Sequence, residues 1–237
     1  MTPDNRTVLV TGASRGIGKA ISERLLRESC RVVGISRTPV NSASADLIPV
    51  VMDLSQIEQL PDQISRLRSS NPEIDAIVCN AGYGRFGSLE EFSPQQIQQM
   101  INLNLTSQIL LIREFLPQLK TKGRGDIILM GSEAGLSGGK KGVVYSASKF
   151  ALRGTAQALR EECANSGVRV GIINPGMVAT DFFSQTWFNP GPEPDMHLEA
   201  EDVAEAVWLM LSARRGAVID EINLSPQKRV IEFNKKA

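Results

Sequence analysis

The chain predicts an α/β fold: a single domain with a doubly wound parallel sheet covered by helices on both faces. Three observations lead there. Short runs rich in Val, Ile and Leu alternate with longer helical patterns nearly to the last residue. Most of those runs lack the polar/apolar alternation of a half-exposed strand, so both faces of the sheet are covered. And 237 residues with 42% hydrophobic content support one sizeable core. Regular alternation of this kind winds a parallel sheet by right-handed crossovers, with ligands binding beyond the carboxyl ends of the strands.

Taken in order, the strands expected are Thr7–Val10, Arg31–Ile35, Ile48–Met52, Ala76–Cys79, Asp126–Met130, Arg169–Ile173 and Val218–Leu224. The helices between them are expected at Lys19–Glu28, Ile57–Ser69, Pro94–Leu119 (in one or two pieces), Ser146–Asn165 and Asp202–Ser212. Ser93-Pro94 places a cap and then a proline at the first helical position, and Glu199-Ala-Glu-Asp opens the last helix. Residues 180–196 break the rhythm. They hold Phe182, Phe183, Trp187, Phe188 and three prolines without a period, which reads either as an irregular connection or as a lid over a substrate at about 180–200. No repeat, low-complexity tract or linker divides residues 1–237.

Charge and composition exclude several classes. With 26 basic and 26 acidic residues and no block of one sign, neither nucleic acid nor an anionic membrane is the expected partner. No stretch approaches the length of a membrane span, and Met-Thr-Pro-Asp-Asn-Arg-Thr is no signal segment. Cys30, Cys79 and Cys163 lack metal-ligand spacing, so no metal is expected and a reducing cytoplasm is the default compartment. The single histidine, His197, follows the irregular segment and reads as incidental.

Two patterns carry chemistry. After the first strand comes Thr11-Gly12-Ala13-Ser14-Arg15-Gly16-Ile17-Gly18, opening a helix. Glycines permit a tight turn and let backbone N–H groups approach a pyrophosphate, where the helix N-terminus adds partial positive charge. The second is Tyr145 and Lys149, four residues apart and therefore on one face of a helix. An unperturbed phenol, with a pKa of about 10, gives up its proton poorly near neutrality. A fixed cation beside it favours the phenolate and makes it a workable general acid/base.

With Asn80-Ala81-Gly82, Ser132 and Asn174-Pro175-Gly176 in the same order along the chain, the set resembles the short-chain dehydrogenase/reductase family over nearly its whole length. The resemblance implies a seven-stranded Rossmann-type domain, a nicotinamide cofactor and carbonyl/alcohol redox chemistry. It implies that Asp53 contacts the adenine, a role compatible with a strand-end cap. Asn80, Ala81 and Gly82 would line the adenosine side, and Pro175, Gly176, Val178 and Thr180 the nicotinamide side. Ser132, thirteen residues before Tyr145, would hydrogen-bond the substrate oxygen. Lys149 would hold the nicotinamide ribose and depress the tyrosine pKa. Of Asn102 and Asn104, counting back from Pro117 selects Asn104, which would distort its helix and hold a water linking Lys149 to solvent. The second strand ends in Gly34-Ile35-Ser36-Arg37, without the acid that disfavours a 2′-phosphate. Arg37 and Arg15 resemble the paired bases of NADP-using members, and arginine's planar fork suits a phosphate. NADP(H) is the cofactor expected.

The expected activity is NADP(H)-dependent interconversion of a carbonyl and an alcohol on a small hydroxy acid, alcohol or ketone. A 3-oxoacyl thioester reductase and a non-catalytic NADP(H)-sensing protein are the alternatives. The tail Glu221-Ile-Asn-Leu-Ser-Pro-Gln resembles the subgroup acting on 3-hydroxy acids and serine-like alcohols, without the glycine-rich ending of many thioester reductases. Candidate substrate contacts are Glu133, Leu136, Lys140, Lys141, Val143, Val144, Phe182, Phe183 and Trp187. A homodimer or homotetramer through the two long helices is implied as well, with Gly154, Ala156 and Ala158 permitting close packing.

Overall fold

The computed structural model describes residues 6–40 and 44–233; the amino-terminal segment read above for a signal therefore lies mostly outside the described residues. Seven parallel strands form the central sheet in the order β3-β2-β1-β4-β5-β6-β8. They are β1 (Thr7–Thr11), β2 (Arg31–Ser36), β3 (Leu47–Val51), β4 (Ala76–Cys79), β5 (Gly125–Met130), β6 (Val168–Pro175) and β8 (Glu221–Leu224). The chain builds outward from β1 to β3, then returns to pair β4 on the other side of β1. The reversal opens a crevice between the ends of β1 and β4, where a doubly wound sheet takes its ligand.

Successive residues of a strand face opposite layers, and the core divides accordingly. Val8 and Val10 pack with Ile21 and Leu25 of α1 (Gly16–Arg27) and with Val203 and Val207 of α6 (Ala200–Ser212). Leu9 joins the opposite layer, made by α2 (Leu60–Ser70), α4 (Ser107–Thr121) and α5 (Val143–Cys163). Phe115 and Leu111 are fully buried there, each worth about 1.5–3 kcal/mol on removal from water. At the amino ends of the strands, Arg6 Nη2 bonds Asp126 Oδ2 at 2.6 Å and Arg6 Nε bonds Asp75 Oδ1 at 3.0 Å. Arg169 Nε reaches the other Asp126 oxygen at 2.6 Å and donates further to the carbonyls of Leu211 and Ala213.

Several expectations shift. The expected helix Pro94–Leu119 starts with a reciprocal Ser93–Gln96 cap as α3 (Pro94–Ile101), then widens into a π-helical turn at Asn102–Thr106 before α4. Only Glu221–Leu224 of the expected strand Val218–Leu224 pairs with β6, because the ladder begins where Ile172 N–H meets the Asp220 carbonyl. The irregular segment is a short 3-10 turn, Asp181–Phe183, followed by β7 (Phe188–Pro190), which pairs antiparallel with β9 (Ile231–Phe233). Neither strand has a sequence period to announce it. Ala156, one of the three small residues expected to permit close helix packing, is buried in the core of the same chain. Among the described residues no helix is long and apolar enough to cross a membrane.

Candidate active site

The phosphate loop follows from backbone conformations that only glycine takes without strain. Gly12 and Gly16 have φ of +71° and +52°. A Cβ on Gly18 would stand 2.2 Å from the Gly12 carbonyl oxygen, so only a bare backbone lets α1 start against the turn. Thr11 locks the loop to its neighbour: its Oγ1 accepts from the N–H groups of both Asn80 and Ala81 at 2.9 Å, and Asn80 Nδ2 donates back to the Thr11 carbonyl. The ends of β1 and β4 are thereby held at a fixed separation.

Beyond these ends lies a cavity of about 1660 Å³. That exceeds the roughly 300–1,000 Å³ typical of one small ligand and leaves room for a dinucleotide with a substrate beside it. Gly12, Ser14, Arg15, Gly16, Ile17, Arg37, Asp53, Asn80, Ala81 and Gly82 line one arm. Ser132, Tyr145, Lys149, Pro175, Gly176, Val178 and Thr180 line the other. Gly18 and Asn104 stand behind the wall and shape it. Arg15 and Arg37 are exposed, and no carboxylate pairs with either at ion-pair distance among the described residues. Asp53 Oδ1 accepts from both the N–H and the hydroxyl of Ser55. Burial works to raise its pKa, but those bonds and the Arg37 charge outweigh it and hold the carboxylate below its ordinary value. The glycine cradle, the free guanidinium groups and the cavity's extent fit a phosphate-bearing dinucleotide.

Helix α5 presents Tyr145 and Lys149 to the cavity on one face, with Lys149 Nζ 5.7 Å from the tyrosine ring centroid. Burial pushes the Tyr145 phenol up to about 12, against a downward pull from the Ser132 hydroxyl, and Glu133 adds a further upward push. Burial likewise lowers Lys149 to about 8, and its amine donates to the Met130 carbonyl at 2.8 Å. Burial therefore works against the phenolate that a neighbouring cation favours. Desolvation acts on both groups, favouring the neutral phenol and the neutral amine.

Asn104 lies in the π-helical turn, fully buried. It brackets the Tyr83 backbone, accepting its N–H at 3.0 Å and donating to its carbonyl at 2.9 Å, and donates also to Ser148 Oγ. A Cβ on Gly82 would lie 3.1 Å from Asn104 Oδ1 and 3.8 Å from Lys149 Nζ, so glycine keeps the space between the two polar groups open. Among the expected substrate contacts, Glu133, Leu136, Lys140, Lys141, Phe182, Phe183 and Trp187 line the cavity, while Val143 and Val144 do not. The sequence reading missed Phe86, Arg229 and Phe233, and named Phe188 only as part of the irregular segment. The only cue to Phe86 is one aromatic in a glycine-rich stretch after β4.

Comparison with known proteins agrees with this geometry. Residues 6–189 match the short chain dehydrogenase family. The chain is 32% identical to mouse (Mus musculus) dehydrogenase/reductase SDR family member 11, over 95% of this chain and 96% of the relative. It is 31% identical to the 3-oxoacyl-acyl-carrier-protein reductase FabG of Buchnera aphidicola over 77% of each chain. A metagenomic short-chain oxidoreductase, solved in complex with NADP, superposes with a TM-score of 0.82 at 28% identity, covering 97% of this chain and 100% of its own. With the phosphate loop and the Ser132, Tyr145 and Lys149 wall in one crevice, the chain belongs to the short-chain dehydrogenase family of oxidoreductases.

Proposed function

We propose that this enzyme uses NADP(H) to interconvert a carbonyl and an alcohol on a small molecule. The observation that carries the reading is one cavity in which Ser132, Tyr145 and Lys149 share a wall with a glycine cradle. Gly12, Ser14, Arg15, Gly16 and Ile17 would hold the pyrophosphate, with Gly18 supporting the loop, and Arg15 and Arg37 would hold the 2′-phosphate. Asp53, Asn80, Ala81 and Gly82 would flank the adenosine side. Pro175, Gly176, Val178 and Thr180, with Tyr145 and Lys149, would flank the nicotinamide side. When bound, the reduced cofactor supplies the hydride, and its oxidised form takes one back.

The protein's own part is the proton. The Tyr145 phenol stays protonated across the physiological range and donates to the substrate oxygen as the carbonyl is reduced. Ser132 Oγ hydrogen-bonds the same oxygen, where a preorganised donor is worth about 2.7–4 kcal/mol as charge develops. Lys149, charged below about pH 8, stabilises the phenolate left behind. Asn104, across the gap kept open by Gly82, would hold the water through which the proton is replaced. Oxidation of an alcohol reverses these roles.

Relatives such as the Buchnera enzyme favour a second reading, reduction of a 3-oxoacyl thioester. Following loss of reduced-nicotinamide absorbance against a panel of ketones, hydroxy acids and one 3-oxoacyl thioester separates the two. No turnover of any of them would sink both. Self-association through α4 and α5 belongs to the proposal, supported by Ile109 and Phe150 exposed on those helices.

A further inference from the structure

The substrate end of the cavity has two chemically opposed sides. On one, the Tyr145 ring packs with Phe86 at 5.3 Å and with Phe182 at 5.8 Å, centroid to centroid. Phe182 meets Phe183 edge-on, Phe188 packs on Phe86 and Phe183, and Trp187 continues the surface. On the other stands Glu133, beside Ser132 in sequence, half-buried in the wall. A Cβ on Gly176 would lie 3.2 Å from Glu133 Oε2, which puts the carboxylate against the segment carrying Pro175 and Val178. Among the described residues no hydrogen bond or ion pair reaches it.

Most cations at this end are already engaged. Lys149 donates to the Met130 carbonyl, Lys141 lies over the Trp187 ring at 4.9 Å, and Arg85 lies over Phe92 at 5.8 Å. Arg229 is exposed and donates to Ser225 Oγ. Burial raises the pKa of the Glu133 carboxyl, and the Arg229 charge reaches it and draws it down against that. Lys140 is exposed at the rim.

We propose that the substrate is an uncharged carbonyl compound carrying an aromatic or bulky apolar group next to the carbonyl, and that Glu133 turns its carboxylate-bearing analogues away. This narrows the oxidoreductase reading above and rests on it. A carbonyl oxygen shared by Ser132 and Tyr145 lays one substituent along Phe86 and Phe182, where offset and edge-on ring contacts are favourable. An anionic second substituent would meet a half-buried carboxylate with no cation at ion-pair distance, offset only by the exposed Arg229 charge farther off, and like charges in a partly desolvated site repel. A small hydroxy acid gains nothing from the rings and is repelled by Glu133.

The test compares methyl benzoylformate with benzoylformate, which share the same aryl ketone and differ in one negative charge. The full-length enzyme is assayed with NADPH, as wild type, Glu133→Gln and Phe182→Ala. In the wild type, kcat/KM for the ester should exceed that for the acid by about tenfold or more, roughly 1.4 kcal/mol of discrimination. Glu133→Gln should shrink that ratio several-fold, a change that general loss of folding would not produce. Phe182→Ala should weaken preference for methyl benzoylformate over methyl pyruvate. Inhibition of the wild type by benzamide against benzoate checks the same discrimination without any variant. An acid reduced as well as its ester, a ratio unmoved in Glu133→Gln, or benzoate inhibiting as well as benzamide overturns the proposal while leaving the oxidoreductase reading intact. Bound NADPH with no carbonyl reduced at all defeats both.

Discussion

The two ends of the central sheet treat charge in opposite ways. At the amino ends of the strands, Arg6, Asp75, Asp126 and Arg169 are almost wholly buried, and each side chain is paired. Arg169 spends its remaining donors on carbonyls at the end of α6 and just beyond, tying that helix to the sheet. At the carboxyl ends, Arg15, Arg37 and Glu133 have no ion-pair partner among the described residues, and Lys149 has only a carbonyl. A buried charge left alone is costly, so the first end is saturated and inert. The second keeps its charges at the cavity wall, where solvent or a ligand completes them. Both ends use the same parallel strands, and what separates them is which charges find partners within the chain.

That contrast can be broken at either end. The largest effect on rate is expected from Tyr145→Phe, which should lower kcat by about 10²–10⁴ while leaving thermal stability and cofactor binding nearly unchanged. A variant that keeps most of its kcat would show that the open end does not depend on this phenol. Asp126→Ala is the mirror experiment. It takes from Arg169 its carboxylate partner and from Arg6 one of two, and should cost about 3–5 kcal/mol in denaturant unfolding, with kcat preserved below the unfolding transition. Stability lost without turnover at one end, and turnover without stability at the other, is the result that sharpens the comparison.

Smaller effects test the unpaired cations. Arg37→Ala should raise KM for NADPH about tenfold and leave KM for NADH near its wild-type value, since one charge-assisted hydrogen bond is worth about 1.5–3 kcal/mol. An equal change for both cofactors would remove Arg37 from phosphate recognition. The mildest prediction concerns pH. The Lys149 amine is lowered to about 8, so it is charged below that pH and neutral above it. Reductive kcat/KM should therefore hold below about pH 8 and fall above it, a limb that reports the free enzyme. A profile flat to pH 10.5, the ordinary lysine value, would mean that burial does not set this group.

The sheet and the polar wall were legible in the sequence because each rests on spacing. Runs such as Thr7–Thr11 and Ala76–Cys79 are buried on both faces and read as unbroken apolar segments. Tyr145 and Lys149 share a helix face by their interval alone. What stayed hidden depends on contacts between distant residues. Strands of three residues, Phe188–Pro190 and Ile231–Phe233, carry no period, and the first ends in proline. Phe86 reaches Tyr145 only because the loop after β4 folds back: Gly87 N–H bonds the Lys141 carbonyl. What acts on the Tyr145 proton is only half legible for a related reason. A neighbouring cation is visible in a sequence, whereas the burial that opposes it is not.

The β7–β9 ribbon has a kinetic consequence. It flanks the cavity with Trp187 stacked on Phe233 at 5.3 Å, yet consists of two three-residue strands, too short to be stable by themselves. So short a ribbon should open locally at far lower free energy than the central sheet. The Gly191 amide, bonded to the Val230 carbonyl at 3.2 Å, should exchange with deuterated water much sooner than the amides of β5. Access for reactant and escape for product would then be timed by the breathing of a few peptide groups, while the rest of the molecule stays closed.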